Sequence, residues 1–410
     1  MLSMLRKERR LSVLMTGNVL SQVGDGVHEF IFIVTVLHAT HANVLLSGAI
    51  YCFRFIPYVV LGSLGGALSD RWPRRSLMIG ADLARMAITV AFCYLLASGQ
   101  IGVMALAFVG MSMTAFRTVF QPAFQGAIHG LVRAEHLPQA NGAVQAAAEL
   151  GGLIGPALGA TLLYFVGEPG YVLAIDAATY CVSALCIRRA VAAKAGRLAA
   201  PAEPTRESVT LLGLYRDFGA TMRAAVGRRD LCASIGCSAL CILFVGAALR
   251  VFIPTMLKGE GFADSVIGYA MSFLALGAMV GALLCASLSR DFSTPNLMAY
   301  WRWYGFALAL LPLCAVSVPA TLAGCLVLGG IGAFVDVILP TNIQRLSTEA
   351  NVGKHFSLFS TLANTSEAMS GAFAGALSLI APVGVGISVI GAAVIAIGYA
   401  GAARSVQRPA

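Results

Sequence analysis

Twelve apolar runs, each near the roughly 20 residues that an α-helix needs to cross a bilayer, divide this chain. Nothing else constrains the fold as much. Inside lipid the backbone must satisfy its own hydrogen bonds, which leaves helices or a closed barrel. Runs of this length select helices. The expected spans are 11–36, 43–68, 77–97, 101–125, 141–166 and 170–188, then 231–257, 264–287, 295–316, 319–342, 352–379 and 381–403. Several are long enough to tilt or to project beyond the lipid. Only 11% of residues are charged, against about 25% in a typical soluble domain. The 44 glycines suit close helix–helix contact in a membrane.

The net charge of +9 reads as a topology signal, not as an affinity for nucleic acid. Most of the 28 Lys and Arg fall in segments on one side, and only Lys258 falls in a loop on the other. The basic start MLSMLRKERR, the loop with Arg71, Arg74 and Arg75, and the tail with Arg404 and Arg408 place that side, and both termini, in the cytoplasm. The apolar run after the start continues past the length of a cleavable leader and reads as a first span. The ten cysteines form no CxxC pair and sit mostly in apolar runs, so neither a disulfide framework nor a metal site is expected.

The expected organisation is a six-helix bundle over 1–188, a cytoplasmic segment over 189–230 and a second six-helix bundle over 231–410. Within the segment, Leu211, Leu212, Leu214, Tyr215, Phe218 and Met222 recur at helical spacing opposite Arg216, Asp217 and Arg223. That pattern predicts an amphipathic helix along the inner leaflet, strapping the halves together. Two halves of six spans can rock about a central site, which gives alternating access.

Ionisable residues inside the spans are the candidate machinery. A charge at bilayer depth is expensive and ordinarily faces a bundle interior or a wet cavity. Asp25 and Glu29 lie four apart on one face of span one, beside His28. Two close carboxylates resist double ionisation, which suits proton binding. Arg54 on span two could pair with either. Arg117 on span four is a plausible partner for Glu149 on span five. Asp176, Arg250, Arg302 and Asp336 are further charges in spans six, seven, nine and ten. Glu367 is the preferred second-half candidate, being central in span eleven among Asn364, Thr365 and Ser366. Trp301 and Trp303 flank Arg302 and cannot both share its face. For each charge, packing between helices is the rival role.

Between spans two and three the chain reads GGALSDRWPRRSLMIGADLARM. Asp70 lies among Arg71, Arg74 and Arg75, with Asp82 and Arg85 three residues apart on the next span. Acid among bases at a helix junction can form an ionic latch that holds the cytoplasmic ends together. On span five, Gly151, Gly155 and Gly159 share a face, and Pro156 imposes a kink. This is the expected seam against the other half.

GGALSDRWPRR resembles the signature loop of the major facilitator superfamily at Gly66, Leu68, Asp70, Arg71, Arg74 and Arg75, with Pro73 in place of the usual glycine. The corresponding SLSRDFSTP keeps Arg290 and Asp291 alone. GGLIGPALGA at 151–160 resembles that superfamily's antiporter motif, with Ala160 for the last glycine. GNVLSQVGDGV, PAFQGAIHGLV and EHLPQANGAVQAAAELGGLIGPALGA resemble the branch of siderophore and macrolide exporters. The resemblance implies an all-α protein of twelve transmembrane helices in the bacterial inner membrane. It also implies export of a small or medium organic molecule as protons move in. The proton gradient would be the energy source, with no cofactor. No GxxxxGK[ST] loop is present for ATP, and no clustered His or Asp pairs suggest an enzyme. A monomer surrounded by lipid is expected. A lysophospholipid transporter is the alternative, and a non-transporting receptor or scaffold is the reading of another class.

Overall fold

The computed structural model describes residues 9–132, 136–191, 222–223, 227–288, 291–348 and 351–406. The expected amphipathic helix lies outside them, apart from Met222 and Arg223. Among the described residues there is no strand. Twelve helical stretches follow one another. The first six are α1 (Arg9–Ala39), α2 (Val44–Arg71), α3 (Arg74–Ala97), α4 (Val103–Leu131), α5 (Leu137–Val166) and α6 (Pro169–Ala190). The second six are α7 (Arg229–Gly259), α8 (Asp264–Leu288), α9 (Thr294–Cys314), α10 (Val318–Arg345), α11 (Val352–Ser378) and α12 (Val383–Val406).

Ten of these are long and apolar enough to cross a membrane on length and composition alone. The other two, α9 and α11, have the length, at 21 and 27 residues. Their apolar runs are diluted by Asn296 and Arg302 in α9, and by Lys354, His355, Asn364 and Glu367 in α11. Several helices outrun their expected limits. The span expected at 101–125 runs from Val103 to Leu131, and the one expected from 141 begins at Leu137. Hydropathy marks the part in lipid, whereas helical hydrogen bonding continues past it. Large apolar side chains remain on the outside, such as Tyr164, Phe165 and Leu283, as lipid-facing surfaces require.

Helix α7 is not a uniform α-helix. It widens into π-turns at Ala233–Cys237 and Ala248–Phe252. Such turns insert an extra residue and re-aim the side chains beside them, often at functional positions. The second one carries Arg250.

By proximity the chain forms two compact units. One comprises Met1–His41, Phe53–Pro204 and Ala263–Ser272; the other comprises Ala42–Cys52, Thr205–Phe262 and Phe273–Ala410. In the first unit α1 packs on α5 and α6, and α3 packs on α6 and α4. One end of its core is a cluster that includes Leu14, Met78, Phe124, Ile128 and Ile187. The glycine face of α5 meets α1 backbone to backbone. A Cβ on Gly155 would fall 2.5 Å from the Cα of Gly26, a separation no side chain tolerates. The sequence sets this seam against the other half; its glycines lie on α1, while Pro156 and Ala160 lie against α8 of the second six helices. Gly151 and Gly155 lie on Gln22, Val23 and Gly26 of α1, and Gly159 lies on Phe30. The adjoining edge of α5 faces the first turns of α8, where a Cβ on Gly268 would come 2.7 Å from the Pro156 carbonyl oxygen.

In the second unit α9 packs on α12 and α10, and α7 packs on α11. The first turns of α2 belong here because Gly48 lies against the backbone of Gly371 on α11. Three polar side chains bind α7, α9 and α10 at their ends. Asn342 Nδ2 donates to Ser234 Oγ at 2.8 Å and to Thr294 Oγ1 at 2.9 Å, and the two hydroxyls are 2.9 Å apart. Nearby, the Trp301 indole donates to Ser238 Oγ at 2.9 Å. Trp301 is buried and Trp303 is exposed, as their spacing around Arg302 requires.

Candidate functional site

Several charges of the first unit form a cluster centred on Asp25. The Tyr180 hydroxyl donates to Asp25 Oδ1 at 2.5 Å. Arg85 Nη1 is 3.7 Å from the same oxygen, and Arg117 Nη1 is 4.0 Å from Oδ2. Four helices, α1, α3, α4 and α6, therefore converge on one carboxylate. Arg85 also forms an ion pair with Asp82, one turn away on α3. Its guanidinium lies over the Phe120 and Tyr180 rings, at 4.7 and 4.5 Å from their centroids. Asp82 and Arg85 are buried, whereas the Asp25 side chain is 16% exposed and that of Arg117 47%. The cluster is dry at α3 and reachable at Asp25 and Arg117.

One turn further along α6, Asp176 Oδ2 is 3.0 Å from His28 Nδ1 and accepts from the Thr89 hydroxyl at 3.3 Å. The His28 ring stacks with Phe32 and is tilted against Phe92. His28 is thus a packed, hydrogen-bonded residue. Asp25 and Glu29 share a helix face but not a partner. Glu29 forms a two-pronged ion pair with Arg54, whose Nη1 is 3.3 Å from Oε1 and whose guanidinium stacks 4.4 Å from the Phe32 ring centroid. The two acids on α1 therefore have separate arginine partners, Arg85 and Arg117 for Asp25 and Arg54 for Glu29.

Three further sequence expectations change. Glu149 accepts from Gln145 Nε2 at 2.7 Å, one turn earlier on α5, and Arg117 turns to Asp25 instead. Asp82 and Arg85, expected at the latch, lie in the buried cluster, because the turns of α3 carry them inside. Arg74 and Arg75 each donate to a helix carbonyl: Arg74 Nη1 to that of Gly126 at 2.7 Å and Arg75 Nη2 to that of Arg188, in the last turn of α6, at 3.2 Å. The side chains of Asp70 and Arg71 lie outside the described residues.

In the second unit Arg250, on the π-turn of α7, forms an ion pair with Glu367 of α11, both about a quarter exposed at 28% and 27%. A Cβ on Gly246 would approach Ser370, so the two helices are close beside this pair. Phe244 and Phe373 meet edge to face next to it, with ring centroids 4.8 Å apart. Arg302 stacks on Tyr399 of α12, and Asp336 is exposed. These two do not join the pair. Among the described residues no group of three His, Cys, Asp or Glu is placed to hold a metal.

The sequence reading missed Tyr180, Thr89 and the Ser234–Thr294–Asn342 cluster. Tyr180 had a signal, because it lies four residues after Asp176 on the same helix face. The hydroxyls and the amide had none, since uncharged polar residues in spans are common and pair only in three dimensions.

The comparisons with known proteins agree with this architecture. The Major Facilitator Superfamily profile matches residues 14–364. The enterobactin exporter EntS of Shigella boydii serotype 4 is 25% identical over 95% of this chain and 92% of its own length. EntS of Escherichia coli O139:H28 is 26% identical over 80% of this chain and 77% of its own. The MFS-type transporter YfiS of Bacillus subtilis is 25% identical over 38% of this chain and 37% of its own. Among solved structures, a bacterial homologue of the iron transporter ferroportin superposes with a TM-score of 0.72 at 15% identity, covering 97% of this chain and 99% of the other. The nucleoside transporter NupG superposes with a TM-score of 0.72 at 14% identity, covering 97% and 100%. Twelve helices, charges gathered within each unit and a profile match over most of the length lead to one conclusion: the chain belongs to the Major Facilitator Superfamily of membrane transporters, and it is not an enzyme.

Proposed function

We propose that this transporter is a proton-coupled exporter of a small or medium organic molecule, in the bacterial inner membrane with both termini cytoplasmic. The observation that carries the reading is the Asp25 carboxylate, held by Tyr180 and flanked by Arg85 and Arg117 from three other helices. A proton arriving at Asp25 removes the charge that both arginines face. Arg117, the more exposed of the two, is then released and α4 loses its tie to α1. Loss of the proton restores the tie. A ligand that needs Arg117 and a proton that needs Asp25 thus alter each other's binding, which is the coupling antiport requires.

Export is supported by the near full-length similarity to proteins named as enterobactin exporters. Those relatives make enterobactin and other siderophores the first substrates to try. The α1–α5 glycine seam keeps the two helices in backbone contact, so a shift of α1 is passed to α5. The basic ends of the chain support the orientation.

The test is uptake into inside-out vesicles of cells carrying the protein, with an imposed proton gradient and a panel of siderophores and macrocyclic compounds. Substrate-dependent collapse of the gradient is expected. Uptake that stays the same when the gradient is dissipated contradicts antiport. A second reading, transport of a lysophospholipid or other amphiphile, draws on a groove of about 550 Å³ in the second unit. Its lining is almost wholly apolar, including Leu276, Val280, Leu284, Tyr300, Trp303 and Phe334. Gradient-driven movement of a lysophospholipid but of no siderophore in the same vesicles would favour that reading.

A further inference from the structure

A basic pocket in the second unit lies at the helix ends, away from the Arg250–Glu367 pair in the chain. It is a cavity of about 260 Å³ where α7 starts, α12 ends and α10 ends. Arg228 and Arg229 line it from the start of α7, Arg404 from the last turn of α12, and Leu346 from the end of α10. Asp230 is the one carboxylate in the lining. Three guanidinium groups against one carboxylate leave a net positive site. Among the described residues no carboxylate is within ion-pair distance of Arg228 or Arg404, and both side chains are exposed.

The depth of the pocket narrows its ligand. The apolar spans are Arg229–Gly259 and Val383–Ser405, so the arginines stand at the very ends of two membrane-crossing segments. That is headgroup level. The wall is half polar and half apolar: buried Leu231 belongs to the lining, with Leu346 beside it. A soluble anion has no use for the apolar part. A phosphodiester followed by glycerol and acyl carbons uses both parts.

We propose that this pocket binds the phosphodiester of an anionic phospholipid from the adjacent leaflet. Arginine is suited to the task, since its planar fork meets phosphate oxygens two at a time and stays charged. Because the arginines come from helices far apart in sequence, one bound headgroup ties the start of α7 to the end of α12. The orientation proposed above would make that leaflet the cytoplasmic one, but the lipid site itself does not depend on the direction or energy source of transport.

The test uses the purified full-length protein, delipidated and titrated with dioleoylphosphatidylglycerol or dioleoylphosphatidylcholine, with bound lipid counted by native mass spectrometry. The wild type is expected to retain phosphatidylglycerol in preference to phosphatidylcholine. Each arginine removed should weaken phosphatidylglycerol binding about fivefold, so the Arg228→Gln/Arg404→Gln protein should lose about 25-fold. Phosphatidylcholine binding should not change. Should the double variant fold poorly, Arg228→Lys/Arg404→Lys keeps the charge and is expected to retain most of the preference. A third arm adds inorganic phosphate in excess. If phosphate displaces the lipid fully, the pocket is a soluble-anion site and the proposal falls. Equal retention of the two lipids by the wild type, or an unchanged preference in the Gln variant, also overturns it.

Discussion

The two units handle charge in opposite ways. The first gathers Asp25, Asp82, Arg85, Arg117 and Tyr180 into a network across four helices, buried at Asp82 and Arg85 and reachable at Asp25 and Arg117. In the second, Arg250 pairs with Glu367, each at about one-quarter exposure. Where the first unit ties helices with Arg74 and Arg75, the second uses the neutral Ser234–Thr294–Asn342 cluster. Buried charges are costly unless every one is paired, so a network of this kind responds sharply to the gain or loss of one proton. An exposed pair opens at little cost and leaves its groups available to a ligand. Under the proposed proton-coupled mechanism, the contrast assigns proton handling to the first unit and a separable charged contact for substrate to the second.

The widest gap between the units should appear on breaking an ion pair. Arg85→Ala strands buried Asp82 and should cost about 3–5 kcal/mol of stability, whereas Arg250→Ala should cost about 1 kcal/mol or less. Thermal unfolding of the detergent-solubilised proteins, followed by size-exclusion chromatography, measures both. Equal losses would erase the distinction. Next in size is the α1–α5 seam. Gly155→Val drives a side chain into Gly26 and should cost about 1–3 kcal/mol, while the same change at Gly142, where nothing lies within 4 Å of a Cβ, should do much less.

Smaller again is the neutral cluster. Asn342→Ala removes two hydrogen bonds but leaves Ser234 and Thr294 bonded to each other, so about 1 kcal/mol is expected in the same unfolding assay. Glu367→Gln should change stability least, by under about 1 kcal/mol. Its effect should fall on substrate affinity, read as a raised concentration for half-maximal uptake with the proton requirement kept. A Glu367→Gln protein that loses its proton requirement would move the coupling site to the second unit.

Much of this was legible in the sequence, and the part that was not has a physical reason. The twelve spans follow from apolar run length, including α9 and α11, whose polar residues dilute but do not break the run. Asp25 stands out as a candidate because it is a charge placed where charge is expensive. Pairings were harder to read. Arg117 was matched with Glu149 because both lie in neighbouring spans, but α4 turns it toward α1 and Glu149 is satisfied by Gln145 on its own helix. Asp82 and Arg85 follow a basic loop in sequence, yet 1.5 Å of rise per residue carries them inside. The seam on α5 was recognisable from glycine spacing alone. Its partner was not, since a smooth face fits any other smooth face and only the fold supplies α1.

The account rests on Asp25 as the group whose proton is exchanged for substrate. The most direct measurement is transport in proteoliposomes by the wild type and by Asp25→Asn, with and without an imposed proton gradient. The account predicts that the gradient drives accumulation by the wild type, and that the variant loses this while still exchanging substrate down its own concentration gradient. A variant that accumulates substrate with wild-type dependence on the gradient would contradict it.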